Sequence, residues 1–112
     1  MGIDSYSGYL DIGVMPKLCR DSDLGSTGHA CDGVIGVKAT QFTVRANGKP
    51  VARLNDPTKP HTILVGLYCV AHMGKVNIGS TTVRAQGKSV ARVGDSYDMG
   101  QMIQGSSNVR AG

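Results

Sequence analysis

The chain has no tryptophan, one phenylalanine and four tyrosines among 112 residues. So few large rings exclude a bulky aromatic core. In a chain this short burial alone is marginal, and small domains of this kind recruit a metal, a disulfide or a partner surface. No apolar run approaches the roughly 20 residues that cross a bilayer as a helix. Met1 to Val14 has neither a basic n-region nor an apolar h-region, so no export signal is expected there. No window of a dozen residues carries a 3.6-residue apolar stripe, and sixteen glycines are spread along the chain. A helical bundle is therefore not expected. Cysteine is scarce and odd in number: Cys19, Cys31 and Cys69. Without an export signal, the expectation is a reduced, cytosolic origin with thiols free or metal-bound. The net charge of +4 comes from dispersed basic residues. Lacking a basic patch interleaved with aromatics, the chain gives no nucleic-acid signal. Neither a glycine-rich strand-to-helix loop nor a nucleophile elbow is present, so no enzyme is expected.

What the chain does have is a segment that occurs twice. Thr43-Val44-Arg45-Ala46-Asn47-Gly48-Lys49-Pro50-Val51-Ala52-Arg53-Leu54-Asn55-Asp56 returns 39 residues later as Thr82-Val83-Arg84-Ala85-Gln86-Gly87-Lys88-Ser89-Val90-Ala91-Arg92-Val93-Gly94-Asp95, with ten of 14 positions identical. Cys19-Arg20-Asp21-Ser22-Asp23 matches the end of the unit, and Ser106-Ser107-Asn108-Val109-Arg110-Ala111 matches its beginning. The chain thus reads as about three repeats with an open seam, closed if the last half-unit pairs with the first. Each full copy reads as a β-hairpin. Strands are expected around Thr43 to Ala46, Val51 to Arg53, Thr82 to Ala85 and Val90 to Arg92. Asn47-Gly48 suits a two-residue type I′ turn. Gln86-Gly87 suits it less well, so a longer loop is expected there. Gly33 to Val44 and Val76 to Val83 read as strands leading into the hairpins. Asp21 to Asp32, Asn55 to His61 and Gly94 to Gly100 read as turn-rich. The fold class is all-β, in one domain from residue 15 to 112 after a short extension, 1–14.

The histidines carry the chemistry. His29 falls six residues after Asp23, and His61 five after Asp56, nearly equivalent places in successive repeats. A threefold arrangement brings such loops together at one end. The third equivalent place is near Met99, four residues after Asp95. Cys69-Val70-Ala71-His72 adds a Cys and a His at a chelating spacing for a tight loop. His29, His61, Cys69 and His72 are therefore the expected ligands of a closed tetrahedral zinc site, with Cys31 or Met99 as substitutes. Cys19, in the place of Ala52 and Ala91, reads as a small buried packing residue. The repeated Arg53/Asp56 and Arg92/Asp95 read as structural pairs.

The segments Lys49-Pro50-Val51-Ala52-Arg53-Leu54-Asn55-Asp56 and Lys88-Ser89-Val90-Ala91-Arg92-Val93-Gly94-Asp95 resemble the proline-alanine-alanine-arginine (PAAR) repeat family. Met15-Pro16-Lys17-Leu18-Cys19-Arg20 is similar to a degenerate opening copy, and Gly79-Ser80 and Gly105-Ser106 match the family's punctuation. The resemblance implies a short β cone of three pseudo-threefold hairpin repeats. Its base would dock, one chain per trimer, on a trimeric β-helical spike: a valine-glycine repeat (VgrG) protein of type VI secretion or a contractile phage tail spike. It also implies a zinc ion held by His and Cys near the vertex, and a tip that sharpens a spike piercing a target envelope. Such a protein would be cytoplasmic before assembly and then at the tip of the spike or tail, making transient contact with the target membrane. The opening copy departs from the family at Cys19 and at Asp21-Ser22-Asp23. An alternative is a zinc-binding adaptor that recruits an effector to the spike. A metal hydrolase would need an open coordination position and a carboxylate base, for which Asp32 is the candidate closest in sequence to a ligand.

Overall fold

The computed structural model describes residues 15–112; the extension 1–14 lies outside the described residues. Ten short strands and no helix are found among them: β1 (Leu24–Ser26), β2 (Val34–Gly36), β3 (Arg45–Ala46), β4 (Lys49–Pro50), β5 (His61–Val65), β6 (Tyr68–His72), β7 (Arg84–Ala85), β8 (Lys88–Ser89), β9 (Ser96–Tyr97) and β10 (Gly100–Met102). One sheet has the order β2-β1-β10-β9, and β3-β4, β5-β6 and β7-β8 are separate hairpins. All named pairings are antiparallel.

The two copies of the repeated segment fold alike. β3-β4 and β7-β8 are each joined by a two-residue turn, with Asn47 and Gly48 at φ 55° and 76°, and Gln86 and Gly87 at φ 49° and 81°. Both central residues are left-handed, as a type I′ turn requires. The longer loop expected at Gln86-Gly87 is thus not found. The strands are shorter than expected, and Val51, Arg53, Val90 and Arg92 pair through single bridges to other repeats: Arg20 with Val51, Arg53 with Val90, Leu18 with Arg92. Of the segment Gly33 to Val44 only Val34–Gly36 is a strand, and of Val76 to Val83 only a bridge at Val76 remains. The turn-rich segments hold β1 and β9.

Those bridges come from a threefold repetition in the backbone. The Cys19 amide donates to Ala91 O (2.9 Å), the Ala91 amide to Ala52 O (2.9 Å) and the Ala52 amide to Cys19 O (3.0 Å), closing a ring. All three side chains are fully buried. Only small side chains fit where three backbones approach so closely, which is why Cys replaces Ala at this point without disturbing the ring. Burial pushes the Cys19 thiol pKa up, and the carboxylates of Asp23 and Asp95 push it further. The thiol therefore packs as a small hydrophobe. The seam closes in the same pattern. The Leu18 amide donates to Val109 O (2.9 Å) as Val51 does to Val44 O (3.0 Å) and Val90 to Val83 O (3.1 Å).

After the ring each repeat makes the same turn. Ser22, Asn55 and Gly94 have φ 69°, 71° and 94°, the left-handed third position of a type II turn. The amides of Asp23, Asp56 and Asp95 each donate to the arginine carbonyl three residues back at 3.0 Å. The Asp carboxylates accept the amides of Arg20, Arg53 and Arg92 at 2.7, 2.8 and 2.8 Å. Arg20 and Arg92 also hold their aspartates with two guanidinium bonds each. Arg53 instead donates to Thr40 Oγ1 (3.1 Å) and to the carbonyls of Ala85 and Gln86 (3.3 Å each).

The core is layered along this pseudo-threefold arrangement. Leu18, Val51 and Val90 with Ala46, Ala85 and Ala111 form one apolar cluster. The ring residues with Val37, Val76, Met102 and Tyr97 form the next. Tyr97 breaks the symmetry; a side chain at Gly25 would overlap its ring, so the equivalent space in that repeat is filled from Tyr97. The residue after Tyr97, Asp98, reaches the three histidines.

Candidate metal centre

Four side chains converge at the end of the molecule away from the β3-β4 and β7-β8 turns. His29 lies in the loop after β1, behind Gly28. Gly28 is left-handed (φ 76°), and a side chain on it would strike the Met99 carbonyl. His61 opens β5 and His72 ends β6, directly opposite each other in register. Asp98 sits at φ 53° in the two-residue turn between β9 and β10. One ligand atom from each of His29, His61, His72 and Asp98 lies within 4.8 Å of all the others.

The short separations between these groups suit a coordination shell. His29 Nε2 and His61 Nε2 are 3.2 Å apart. Asp98 Oδ2 is 3.0 Å from His29 Nε2 and 2.9 Å from His61 Nε2, and Oδ1 is 3.0 Å from His72 Nε2. Ligands about 2.0–2.1 Å from a tetrahedral ion lie about 3.3 Å from one another. The outward ring nitrogens give a second sign. His29 Nδ1 donates to Ala30 O at 3.0 Å, and His61 Nδ1 to Lys59 O at 2.9 Å. A neutral imidazole protonated at Nδ1 turns a lone pair on Nε2 toward the centre, the usual way a ligand histidine is oriented. Two such lone pairs at 3.2 Å, facing a carboxylate, repel unless a cation or protons lie between them. One metal ion satisfies all four groups at once, so the cluster could hold a metal ion.

With protons rather than a cation between the groups, burial opposes ionisation of Asp98, but hydrogen bonds from His72, His29 and His61 outweigh it and hold the carboxyl below its ordinary range. The side chains of His61, Asp98 and His29 are 0%, 3% and 5% exposed, against 27% for His72, which forms the solvent side.

Three of the four expected ligands, His29, His61 and His72, are brought together. Cys69 is not. The tight loop expected at Cys69-Val70-Ala71-His72 is strand β6. Alternate residues of a strand face opposite ways, so positions three apart cannot serve one ion. Cys69 instead forms a disulfide with Cys31, with Cα atoms 5.9 Å apart. That removes Cys31 as a substitute ligand and corrects the expectation of unpaired thiols at both positions; the free cysteine is buried Cys19. Met99, the other substitute, is 64% exposed and outside the cluster. Its neighbour Asp98 is the fourth donor. It stands at the third equivalent place, one residue from where the repeat offset pointed.

Asp32 is committed elsewhere: its Oδ2 accepts the Thr62 amide (2.8 Å) and hydroxyl (2.9 Å). The Thr62 amide first, and then its hydroxyl, hold the Asp32 carboxyl below its ordinary range.

No protein-family model matches the chain, and no curated protein matches it.

Proposed function

We propose that this chain is the single-copy tip of a trimeric β-helical spike, in a type VI secretion or contractile-tail machine, folded as a PAAR-type cone with zinc at its vertex. The observation that carries the reading is the closed ring of Cys19, Ala52 and Ala91, because one chain with three near-equivalent faces can match a threefold partner. The end bearing the β3-β4 and β7-β8 turns would be the base. Arg45, Arg84 and Arg110 are exposed at equivalent positions of the three repeats, so three spike subunits would meet similar surroundings. Strand edges there would extend the spike's strands by β-augmentation.

His29, His61, His72 and Asp98 would hold the zinc. Imidazole nitrogen and carboxylate oxygen are both ordinary zinc donors. The ion would tie together the loop after β1, the root of the β5-β6 hairpin and the β9-β10 turn, which the apolar layers do not reach. The commitment of Asp32 to Thr62 weighs against a hydrolase, which needs a free base beside the ion. The chain would be made in the cytoplasm and carried across the target envelope, its Cys31–Cys69 pair closing outside the reducing compartment.

Native mass spectrometry of the chain mixed with trimeric β-helical spike proteins tests the reading. One chain per trimer, with one zinc, is expected. Three chains per trimer, or no complex with any such spike, would overturn it.

A further inference from the structure

β5 and β6 form the longest hairpin among the described residues, and Thr62 to Ala71 contains no charged residue. Its large apolar side chains are in water: Leu67 is 91% exposed, Tyr68 75%, Val65 57%, Leu64 48% and Val70 40%. The pairs Val65–Tyr68 and Ile63–Val70 share the face that carries His61 and His72 at the root, and Leu64 lies on the other face. A two-stranded ribbon packed on a protein core has one polar face. This one is apolar on both.

The root is clamped. His61 and His72 belong to the metal cluster, the Cys31–Cys69 disulfide crosses beside it, and Ala30 and Asp32 bond to Leu64 (2.9 Å) and Thr62 (3.2 Å) of β5. The tip turn, Gly66-Leu67, has Gly66 at φ 62°, a two-residue turn that directs Leu67 outward at the very end.

The size of the apolar surface decides between occupants. At about 200 Å² per fully exposed large side chain, the five residues offer about 600 Å². Val65, Tyr68 and Val70 put about 340 Å² on one face, Leu64 about 100 Å² on the other and Leu67 about 180 Å² at the end, so no single flat protein surface reaches the level of about 800 Å² per partner in a stable interface. A second copy of the chain meets the same limit. Fluid hydrocarbon can surround both faces together.

We propose that the Val65–Tyr68 tip is a wedge that enters the interfacial layer of a lipid bilayer. The backbone limits its depth. The outer edge of β6 has no strand partner among the described residues, and unpaired backbone groups do not enter the hydrocarbon centre. Insertion stops near Leu64, where Ala30–Asp32 joins β5. The proposal accords with the spike-tip reading but rests on the hairpin's own composition. Failure of spike docking leaves it standing, and its own failure leaves the docking reading standing.

The chain has no tryptophan, so Leu67→Trp places a single fluorescent reporter at the wedge. A cooperative melt like the parent's shows that the variant is folded. The expected result is a blue shift on phosphatidylcholine vesicles, with quenching by lipids brominated along the acyl chain. The shift should persist at about 1 M salt, where the Debye length is about 3 Å. Adding Val65→Asp should weaken vesicle binding at least about tenfold. No shift on any vesicle would overturn the proposal. So would a shift confined to anionic vesicles and lost in salt, which would assign binding to the basic residues. A shift without lipid that grows with protein concentration would assign the ribbon to a second copy, and one produced by the spike trimer alone would assign it to docking.

Discussion

At the scale of the residue, the cluster has opposite needs with and without a cation. With one, three Nε2 lone pairs and a carboxylate are satisfied together. Without one, His29 and His61 can donate to Asp98 only by carrying a second proton, because their Nδ1 protons are given to Ala30 and Lys59 carbonyls. Metal binding should therefore release protons and weaken as the solution is acidified. Asp98 does not set that weakening. Its folded pKa is depressed, so its contribution is fully present above the unfolded value of about 3.9 and is lost only as pH falls through the lower folded one. Replacing His72 by Ala should remove stoichiometric metal. At a hundredfold excess of metal over Kd the bound ion adds about 2.7 kcal/mol, so the variant should melt about 10–20 °C below the loaded parent. Cys69→Ser should keep one metal per chain. Elemental analysis beside thermal melts separates the two variants, and equal metal loss in both would return Cys69 to the ligand set. His29 and His61 were legible in the sequence because they sit at matching distances after a repeated aspartate. Asp98 was not, because a lone aspartate in a turn carries no local mark that separates a metal donor from a solvated carboxylate. Cys69 misled because Cys-x-x-His chelates on a loop but not on a strand, and the local sequence does not distinguish the two.

At the scale of the element, the turns determine which strands meet. Gly48 and Gly87 are left-handed (φ 76° and 81°) with no atom within 4 Å of an added Cβ. Gly48→Ala or Gly87→Ala should therefore cost about 1–2 kcal/mol from backbone conformation alone. The loss should appear as a lower urea midpoint at unchanged slope. A neutral result would mean that these turns relax to another type. Asn47-Gly48 was readable because that dipeptide tolerates left-handed φ at both positions. Gln86-Gly87 adopts the same turn against its local preference because the flanking pairs Arg84–Ser89 and Ala85–Lys88 impose the register. The β5-β6 hairpin was not foreseen. Its strands lack the alternation that marks a half-buried strand, since neither face packs on a core.

At the scale of the molecule, the repeats close on themselves. Ending the chain at Gly105 removes Val109 and buried Ala111 and leaves Leu18 without its partner carbonyl, yet it touches no metal donor. The truncated protein should lose its cooperative melt and become protease-sensitive. A truncated chain that melts like the parent would show the seam to be dispensable. The repeat made this closure legible. The rewiring of Arg53 away from Asp56 was not, since the three arginines are alike in sequence and differ only in which turn lies within reach. The ring of Cys19, Ala52 and Ala91 also governs the order of assembly in time. Its bonds join residues far apart in the sequence, and the ring cannot close until Ala91 has been added. Loop-closure entropy is then met before the reward of contact, a high-contact-order topology that folds slowly. The chain on the ribosome must wait for Val109 and Ala111 before the repeats close, and refolding from denaturant should be limited by the arrival of Val109 at Leu18.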